Sequence, residues 1–530
     1  MQRGTMMELP LTIELIARRA STLTPQVEIV SRRPDRSLHR TTYGAMLERA
    51  RRLARALVGA GIRPGDRVAT LMWNHAEHLE AYYGVPLAGA VLHTLNLRLP
   101  PDEIGAIAAD AKDRFIIVDE VLLPVFDKLR SAAGGCFERV LVVGATRKAD
   151  GLEDYEAFLA SAPEGAALPA LREEQPLGTC YTGGTTGKPK GVVYTHRSTV
   201  LHSLICALPD SLELSRRDTL LPAVPMFHVS GWGFPYTAAM IGTRMVLPGA
   251  HLDPPSLLEL MEQERVTVAA GVPTIWLGIR DALQAQPRRL QPGLRMIVGG
   301  AAAPEQLIRD FDRMGLHLLH AWGATETSIG LVSRLPPESR DWSEDERYRL
   351  RAKQGLPPPL TEVRVRNEAG DVPRDGKTSG EMQIRGPWVT ASYVNQLSPE
   401  RWTADGFFCT GDVATMDDRG FIQLVDRMAD LIKSGGEWIA SQALENHLMG
   451  HPAVREAAVI GIPDPRWSER PLAVVAFKPG QSATADELRA FVCEKFPKYW
   501  APDRLAVVDA IPRTSAGKFD KRALRSQYRS

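Results

Sequence analysis

Short apolar runs alternate with amphipathic segments along roughly the first four hundred residues of the chain. A short apolar run bounded by turn residues is typical of a buried strand, and apolar positions at helical spacing are typical of a helix packed on one face. The clearest strand candidates are Val68–Met72, Phe115–Val118, Val140–Val143 and Arg295–Val298, and the clearest helix candidates are Tyr43–Ala60 and Ser256–Glu264. The alternation predicts an α/β fold with largely parallel sheets. Proline and charge gather in Leu335–Pro359, which predicts an excursion over the surface rather than core.

The pattern changes near Val425–Ile432, and the segment that follows has the size of a separate domain. Its predicted elements are a helix at Ser441–Met449, strands at Glu456–Ile462 and Leu472–Phe477, a helix at Ala485–Phe496 and a last strand at Arg504–Val508. We therefore expect a large N-terminal domain over residues 1–426, a hinge over 427–432 and a small α+β domain over 433–530.

Length and composition exclude several classes of protein. A chain of 530 residues is too long for one ordinary core, so two or more domains are expected. Hydrophobic residues make up 44% and charged residues 24%, which is the balance of a soluble globular protein. The net charge of +1 argues against a nucleic-acid binder, and no apolar run approaches the length of a membrane span. Five scattered cysteines without a CxxC pattern favour a reducing cytoplasm over a disulfide framework or a zinc site.

The run Tyr181–Gly191 is the richest in candidate chemistry, with four glycines, three threonines and two lysines in eleven residues. Glycines let the backbone expose its N–H groups, and the hydroxyls and lysine charges add donors, so the loop suits a polyphosphate. It is not a Walker A loop, because Thr182 stands in place of the first glycine of that motif and Pro189 in place of its magnesium-binding hydroxyl. The alternative is a flexible surface turn of the same composition.

Further motifs follow along the chain. They are Pro225–His228, Val229–Trp232, Val298–Pro304, His320–Glu326, Phe408–Asp412, Lys433–Trp438 and Pro512–Lys518. With these motifs in this order, the chain resembles the adenylate-forming superfamily of acyl-CoA synthetases, peptide-synthetase adenylation domains and luciferases over about Glu28–Tyr528.

Two subgroups of that superfamily are the most similar. Lys433–Trp438, Glu469–Ala473 and Ile511–Lys518 resemble the bacterial medium- and long-chain fatty acyl-CoA synthetases. His196–His202 and His320–Trp322 resemble the related 3-methylmercaptopropionate–CoA ligases.

The resemblance implies a reaction in two steps. A carboxylic acid reacts with ATP to give an acyl-adenylate and pyrophosphate, and the thiol of coenzyme A then displaces AMP to give a thioester. The first step joins two anions, so positioning and charge neutralisation, with Mg²⁺ bound, are expected to supply most of the catalysis. The expected acid is a medium- to long-chain fatty acid, and the expected protein is a cytoplasmic homodimer that binds no nucleic acid and has no integral membrane segment.

Three alternatives remain open at this point. The acid is a short thioether acid such as 3-methylmercaptopropionate, or the enzyme loads a separate carrier protein, or the chain is a nucleotide-binding regulator without activity. Nothing after Lys518 resembles a phosphopantetheine-bearing domain, although a free-standing carrier is compatible with the sequence. The phosphate loop together with Glu326, Asp412 and Lys518 argues against an inactive regulator.

The resemblance also assigns the nucleotide site. The β- and γ-phosphates are assigned to Thr182, Gly183, Gly184, Thr185, Thr186, Gly187 and Lys190, where Gly183 replaces the family's usual serine or threonine. The adenine is assigned to Gly300, Ala301, Ala302, His320, Ala321, Trp322 and Gly323, with the base stacked on the ring of Trp322. The remaining assignments are Asp412 and Arg427 to the ribose, Thr325 to the α-phosphate, and Thr182 and Glu326 to Mg²⁺, which prefers oxygen ligands.

By the same resemblance, Lys518 is the main catalytic residue, because it is expected to bridge the attacking carboxylate and the α-phosphate. His228 is expected to flank the same two groups. Trp232 is expected to gate the acyl tunnel, with plain core packing as the alternative, and Gly271–Thr274 and Trp276 are expected to line the acyl pocket.

The resemblance finally implies a small domain that swings between the two half-reactions. Lys433 and Trp438 are expected beside the nucleotide and the thioester-forming face. The hinge residue is Ala429, where relatives usually carry aspartate or lysine. Alanine adopts most backbone angles, so we expect rotation to be retained without the polar contact of a lysine.

Overall fold

Two sheets with mainly parallel strands occupy the first part of the chain in the computed structural model, which describes residues 4–146, 150–182, 189–396, 398–435, 437–514 and 518–528. The first sheet orders its strands Glu153–Asp154, Arg139–Val143, Asp113–Asp119, Arg67–Leu71, Val91–Thr94, Pro176–Tyr181 and Gly191–Thr195. The second sheet orders its strands Ser328–Val332, His317–Ala324, Arg295–Val298, Val268–Gly271, Thr219–Pro222, Arg244–Leu247, Glu28–Arg32 and Leu38–Thr42. The edge strands Gly191–Thr195, Ser328–Val332 and Leu38–Thr42 pair antiparallel, and the inner strands are parallel.

Helices cover both sheets. Those before residue 432 are Ile13–Leu23, Tyr43–Gly59, Ala76–Leu87, Pro101–Ala111, Leu123–Leu129, Tyr155–Ala160, His196–Ala207, Phe234–Ile241, Pro254–Gln263, Pro273–Ala285, Glu305–Arg313 and Glu344–Arg351. The largest apolar core joins the two sheets, since Leu92 and Ile117 of the first share one cluster with Ile29 and Ile297 of the second. Strands covered on both faces read as nearly continuous apolar runs, which explains why they stood out in the sequence.

Two smaller sheets follow. An antiparallel sheet orders its strands Gly370–Asp371, Glu362–Asn367, Gly380–Arg385, Phe408–Met416 and Ile422–Arg427. The last sheet orders its strands Glu437–Ile439, Ile432–Ser434, Ser468–Phe477 and Val454–Asp464, with Arg504–Val507 added parallel to Ser468–Phe477. The helices Ser441–Leu448, Ala485–Cys493 and Lys521–Tyr528 complete this small α+β domain.

The α/β fold with a smaller C-terminal domain is confirmed, and so are the predicted strands and helices to within a few residues at their ends. Two features differ from the expectation. The sheet over residues 362–427 is wholly antiparallel, although a largely parallel pattern was expected up to this point. The segment Leu335–Pro359 is not only a surface excursion, because Tyr348 and Leu350 are buried and Arg351 pairs with Asp312.

The second sheet positions the site. Val268–Gly271, Arg295–Val298 and His317–Ala324 run parallel, with Gly271, Val298 and His320 in register. Their carboxyl ends therefore meet at one edge, where ligands of open α/β sheets usually bind. No helix among the described residues combines the length and the apolar character that crossing a bilayer requires.

Candidate active site

A cavity of about 490 Å³ opens where the second sheet, the antiparallel sheet and the small domain meet. The predicted residues that line it are Thr182, Lys190, His228, Trp232, Gly300, Ala321, Trp322, Gly323, Thr325, Glu326, Asp412, Arg427 and Lys518. The predicted phosphate contacts Gly183, Gly184, Thr185, Thr186 and Gly187 lie outside the described residues. The fold thus brings most of the scattered motifs to one space.

The two ends of the phosphate loop are held together by hydrogen bonds. The N–H of Thr182 donates to the carbonyl oxygen of Lys190 at 2.9 Å, and the N–H of Lys190 donates to Oγ1 of Thr182 at 3.1 Å. The Lys190 Nζ donates to Oγ of Ser398 at 2.6 Å and lies 5.1 Å from the ring centroid of Tyr393. The lysine charge is therefore fixed at this end of the cavity, which we call the phosphate end.

Glu326 lies at the phosphate end and is oriented by a tyrosine. The hydroxyl of Tyr393 donates to Oε1 of Glu326 at 2.5 Å, and the N–H of Thr390 donates to the Glu326 carbonyl oxygen at 2.8 Å. Burial, and next the charge of Glu326, raise the pKa of Tyr393, so its hydroxyl remains a donor at neutral pH. The neighbouring Thr325 is held through its carbonyl oxygen, which accepts the hydroxyl of Tyr194 at 2.7 Å.

Asp412 lies in the cavity wall on the strand Phe408–Met416 and stands between two donors. The Trp322 Nε1 donates to its Oδ2 at 3.2 Å, and the Arg427 Nε lies 3.3 Å from its Oδ1. Asp412 and Arg427 are direct partners on adjacent strands. A Cβ on Gly330 would come within 2.5 Å of the Trp322 ring, so the glycine admits the indole against its strand. The carboxylate, the guanidinium and the aromatic ring form one rigid group.

Lys518 reaches the cavity from the small domain. Its N–H donates to Oγ1 of Thr514 at 3.2 Å, and the N–H of Thr514 donates to the Lys518 carbonyl oxygen at 2.7 Å. Burial, and next the charge of Arg427, lower the pKa of Lys518 to about 8, while Asp412 and Glu326 oppose this shift. Burial lowers the pKa of His228 to about 4, with Lys518 adding to the effect. At neutral pH the cavity therefore has a cationic lysine beside an uncharged imidazole.

The segment that carries His228 is held by Asn74, which sequence reasoning missed. The Asn74 Nδ2 donates to the carbonyl oxygens of Pro222 at 3.0 Å and Val224 at 2.8 Å, and its Oδ1 accepts the N–H of Met226 at 2.8 Å. All three bonds are buried, so they set the backbone path that leads to His228.

An apolar arm of the cavity begins at Trp232. Its wall is formed by Leu212, Val229, Trp232, Val272, Ile297, Ala321 and Ile329, and by the buried His202, whose Nε2 accepts the N–H of Ile329 at 3.3 Å. The segment Val229–Gly233 has five successive left-handed residues, with φ between 38° and 74°, although three of them are not glycine. Such backbone conformations are costly and concentrate at functional sites. A Cβ on Gly299 would lie 2.8 Å from the Trp232 ring, so this glycine makes room for the indole.

Of the residues expected to line the acyl pocket, Gly271 and Trp276 do not line the cavity. Trp276 has no exposed surface, and it packs in a separate core cluster rather than in the cavity wall. Its Nε1 donates to the carbonyl oxygen of Ile297 at 3.2 Å, and its ring lies against Gly271. Val272, which belongs to the expected segment Gly271–Thr274, does line the cavity.

Part of the predicted adenine site also lies elsewhere. His320 does not line the cavity. Its carbonyl oxygen accepts the N–H of Ser333, and its ring Nδ1 donates to the carbonyl oxygen of Ala352. Ala301 and Ala302 line a separate crevice of about 80 Å³ between the two domains. Val272, Gly300 and Lys518 line both this crevice and the main cavity.

Lys433 and Trp438 are not brought to the cavity. They lie on a hairpin of the small domain, where the Lys433 Nζ is 5.6 Å from the ring centroid of Trp438. The Trp438 residue is 54% exposed. In this arrangement of the domains, the small domain presents Lys518 to the cavity rather than Lys433.

A buried contact fixes that arrangement. Oδ2 of Asp426, on the last strand of the antiparallel sheet, accepts the N–H of Ser441 at 2.6 Å and the N–H of Gln442 at 3.3 Å. These N–H groups begin the small-domain helix Ser441–Leu448, whose first turn has no helical partners of its own. Lys521 joins the cluster, with its Nζ 2.7 Å from Oγ of Ser441 and 2.8 Å from Oε1 of Glu445.

Sequence reasoning missed several residues of the site. Asn74, Tyr393, Arg401 and Asp426 line or support it, yet none stands in a motif that announces the role. The usable signals are that Tyr393 and Arg401 lie shortly before the Phe408–Asp412 motif and that Asp426 directly precedes Arg427.

Comparison with known proteins agrees with this geometry. Residues 18–394 match the AMP-binding enzyme family, and residues 443–518 match the AMP-binding enzyme C-terminal domain. A long-chain-fatty-acid–CoA ligase of Thermus thermophilus is 47% identical over 99% of this chain and 97% of that protein. A 3-methylmercaptopropionyl-CoA ligase of Ruegeria pomeroyi is 42% identical over 99% of both proteins. The solved structure of the anthranilate CoA ligase AuaEII in complex with anthranoyl-AMP has the same fold, with a TM-score of 0.87, 24% identity and 98% of each chain covered.

Proposed function

The chain belongs to the AMP-binding enzyme family, and from this premise we propose that it is an AMP-forming acid–thiol ligase. A carboxylate oxygen attacks the α-phosphorus of ATP, and the bond to pyrophosphate breaks. The sulfur of coenzyme A then attacks the acyl carbon, AMP leaves, and the thiol proton is released. The observation that carries the proposal is the convergence of Lys518, Thr325 and Asp412 on one cavity with an apolar arm.

The charge of each side chain at neutral pH determines its proposed role in the first step. Lys518 holds a positive charge where the carboxylate approaches the α-phosphate, and Thr325 binds that phosphate. His228 is uncharged at neutral pH, so it positions the acid by hydrogen bonding rather than by charge. Asp412 accepts the ribose hydroxyls, and its bonds to Trp322 and Arg427 keep it in place.

Mg²⁺ fits the phosphate end. The carboxylate of Glu326 and the hydroxyl of Thr182 are hard oxygen ligands, and Tyr393 orients the carboxylate. Among the described residues there is no cluster of three or more His, Cys, Asp or Glu that could hold a metal without the nucleotide. Glu326 and Thr182 would hold Mg²⁺ here, and the ion would neutralise phosphate charge.

We propose a medium- to long-chain fatty acid as the substrate. The apolar arm has no charged side chain in its wall, and the relative from Thermus thermophilus is a long-chain-fatty-acid–CoA ligase. A short thioether acid is the second candidate, because the relative from Ruegeria pomeroyi is a 3-methylmercaptopropionyl-CoA ligase. We also propose a hinge over residues 427–432 between the domains, and a cytoplasmic homodimer, by resemblance to the family.

A panel of acids tests the function and the substrate together. Carboxylic acids from short to long chain are supplied with ATP, Mg²⁺ and coenzyme A, and AMP release is measured with and without the thiol. The expected result is coenzyme A-dependent AMP release with a maximum among the medium or long acids. A maximum at 3-methylmercaptopropionate would favour the second candidate, and no acid-dependent release would reject the ligase.

Replacing Trp232 by alanine is expected to shift acid preference toward longer chains, because it removes the ring that narrows the apolar arm. We expect the ratio of kcat/KM for long acids to kcat/KM for short acids to rise about tenfold. An effect of this size on substrate discrimination is typical when an apolar pocket gains or loses room for one methylene group. Trp276→Phe is the matched control, because it changes a tryptophan that is buried outside the cavity. An unchanged ratio in Trp232→Ala, or an equal change in the control, would contradict the gating role.

The pH dependence of the first step is expected to follow Lys518. The kcat/KM for ATP reports on the free enzyme, in which the pKa of Lys518 is about 8. Above this pH the lysine loses its proton and its charge, so we expect the rate of acid-dependent pyrophosphate exchange to decline as pH rises. Lys518→Arg keeps its charge, and the decline should be absent in that variant. The same decline in both proteins would assign the titration to another group.

A further inference from the structure

Arg401 lines the phosphate end of the cavity beside Lys190 and Glu326, and it is part of no motif that assigns it a role. It ends the short 3-10 helix Pro399–Arg401, and its N–H donates to the carbonyl oxygen of Ser398 at 3.1 Å. The hydroxyl oxygen of Ser398 also accepts a hydrogen bond from the Nζ of Lys190. One short segment therefore brings two cations to the same wall.

Within the described part of the chain, the guanidinium of Arg401 has no carboxylate partner, whereas Arg364 and Arg385 in the same region each have one. Its Nε is buried and has no hydrogen-bond partner among the described residues. Nearby, Arg364 pairs with Asp405 at 2.6 Å, and Arg385 pairs with Glu362 at 2.7 Å. A buried donor without a partner costs stability, so its retention needs an explanation.

Packing keeps the guanidinium of Arg401 in place. Its Cζ lies 5.1 Å from the ring centroid of Phe408. Its two terminal nitrogens would be 3.5 Å and 3.6 Å from a Cβ at Gly411, so the guanidinium lies beside the strand that carries Gly411. The charge also reaches Tyr393, where it opposes the rise in the pKa of that hydroxyl. The cation is thus held in the wall before any ligand binds.

We propose that Arg401 binds the β- and γ-phosphates of ATP and the pyrophosphate that leaves. This inference rests on the proposed ligase function. A planar guanidinium offers a fork of donors that matches phosphate oxygens, and Lys190, Thr182 and Glu326 place the polyphosphate at this end. The α-phosphate, which ATP and AMP share, is assigned to Thr325 and Lys518. Arg401 is therefore expected to contribute to the binding of ATP but not of AMP.

The test compares ATP with AMP in the full-length protein. Arg401→Gln keeps a side chain of similar length without the charge, and Arg401→Lys keeps the charge without the fork. We expect Arg401→Gln to raise the Kd for Mg²⁺–ATP and the KM for pyrophosphate by roughly tenfold to a hundredfold, as for loss of a charge-assisted contact. The Kd for AMP and the rate of thiolysis of supplied acyl-adenylate should stay within about twofold, and Arg401→Lys should lie between.

Arg385→Gln is the matched control, because Arg385 pairs with Glu362 and does not line the cavity. Unchanged ATP affinity in Arg401→Gln would overturn the proposal. Equal losses for ATP and AMP, or the same loss in Arg385→Gln, would overturn it as well. Acid-dependent pyrophosphate exchange by the wild-type protein tests the ligase function, and its absence would reject that function. Calorimetric binding of ATP and AMP needs no acid, so it tests the role of Arg401 even in that case. If Arg401→Gln unfolds, Arg401→Lys decides by the same ATP-to-AMP comparison.

Discussion

Replacing Lys518 by alanine is expected to lower the rate of acyl-adenylate formation roughly 100- to 1000-fold, the loss seen when a group that stabilises transition-state charge is removed. Lys518 is the lysine that lines the cavity from the small domain, and burial lowers its pKa without removing its charge at neutral pH. Because His228 is uncharged there, it cannot replace the lost cation. The measurement is acid-dependent exchange of labelled pyrophosphate into ATP.

Thiolysis of supplied acyl-adenylate by coenzyme A should stay close to the wild-type rate in Lys518→Ala, because the acyl–phosphate bond is already formed. Lys518→Arg is the control, since it retains a cation of similar length and should recover part of the first step. Equal damage to both half-reactions in Lys518→Ala would contradict the role of the lysine.

Replacing Asp426 by alanine is expected to reduce the same step by about tenfold to a hundredfold, although this residue does not line the cavity. Asp426 accepts the N–H groups of Ser441 and Gln442 and so fastens the small domain that carries Lys518. Without it, the first turn of that helix loses its acceptor inside a buried interface, and the docked arrangement is less populated. Pyrophosphate exchange and thiolysis of acyl-adenylate, measured on one preparation, separate the effects.

We expect thiolysis in Asp426→Ala to be spared while exchange falls, and Asp426→Asn, which keeps an acceptor oxygen, to lose less. Asp503→Ala is the matched control, because Asp503 pairs with Arg470 inside the small domain and does not contact the other domain in that pair. If Asp503→Ala changes the ratio of the two half-reactions as much as Asp426→Ala, general destabilisation explains the effect, and the docking role is rejected.

The elements of the fold were predictable wherever one local pattern dominates. Arg295–Val298 is a strand in the sequence and in the structure, because burial on both faces demands consecutive apolar residues. The antiparallel strands over residues 362–427 were missed, because polar residues on their exposed positions interrupt the apolar runs. The helix Glu344–Arg351 was missed because six of its eight residues are charged, although Tyr348 and Leu350 are buried.

By itself, the sequence determined the family, the two-domain order and the residues whose chemistry is local, such as Asp412, Glu326 and Lys518. Those residues stand in motifs. The residues of a motif are close in sequence, so their spacing along the chain is enough to predict that they lie near one another. The tertiary structure decided that Trp276 packs away from the cavity, that Tyr393 and Arg401 line the cavity, and that Asp426 binds the first turn of a small-domain helix. The positions of these residues depend on which strands and helices pack together. Contacts between distant segments arise from strand register and side-chain packing, and spacing along the chain does not encode either.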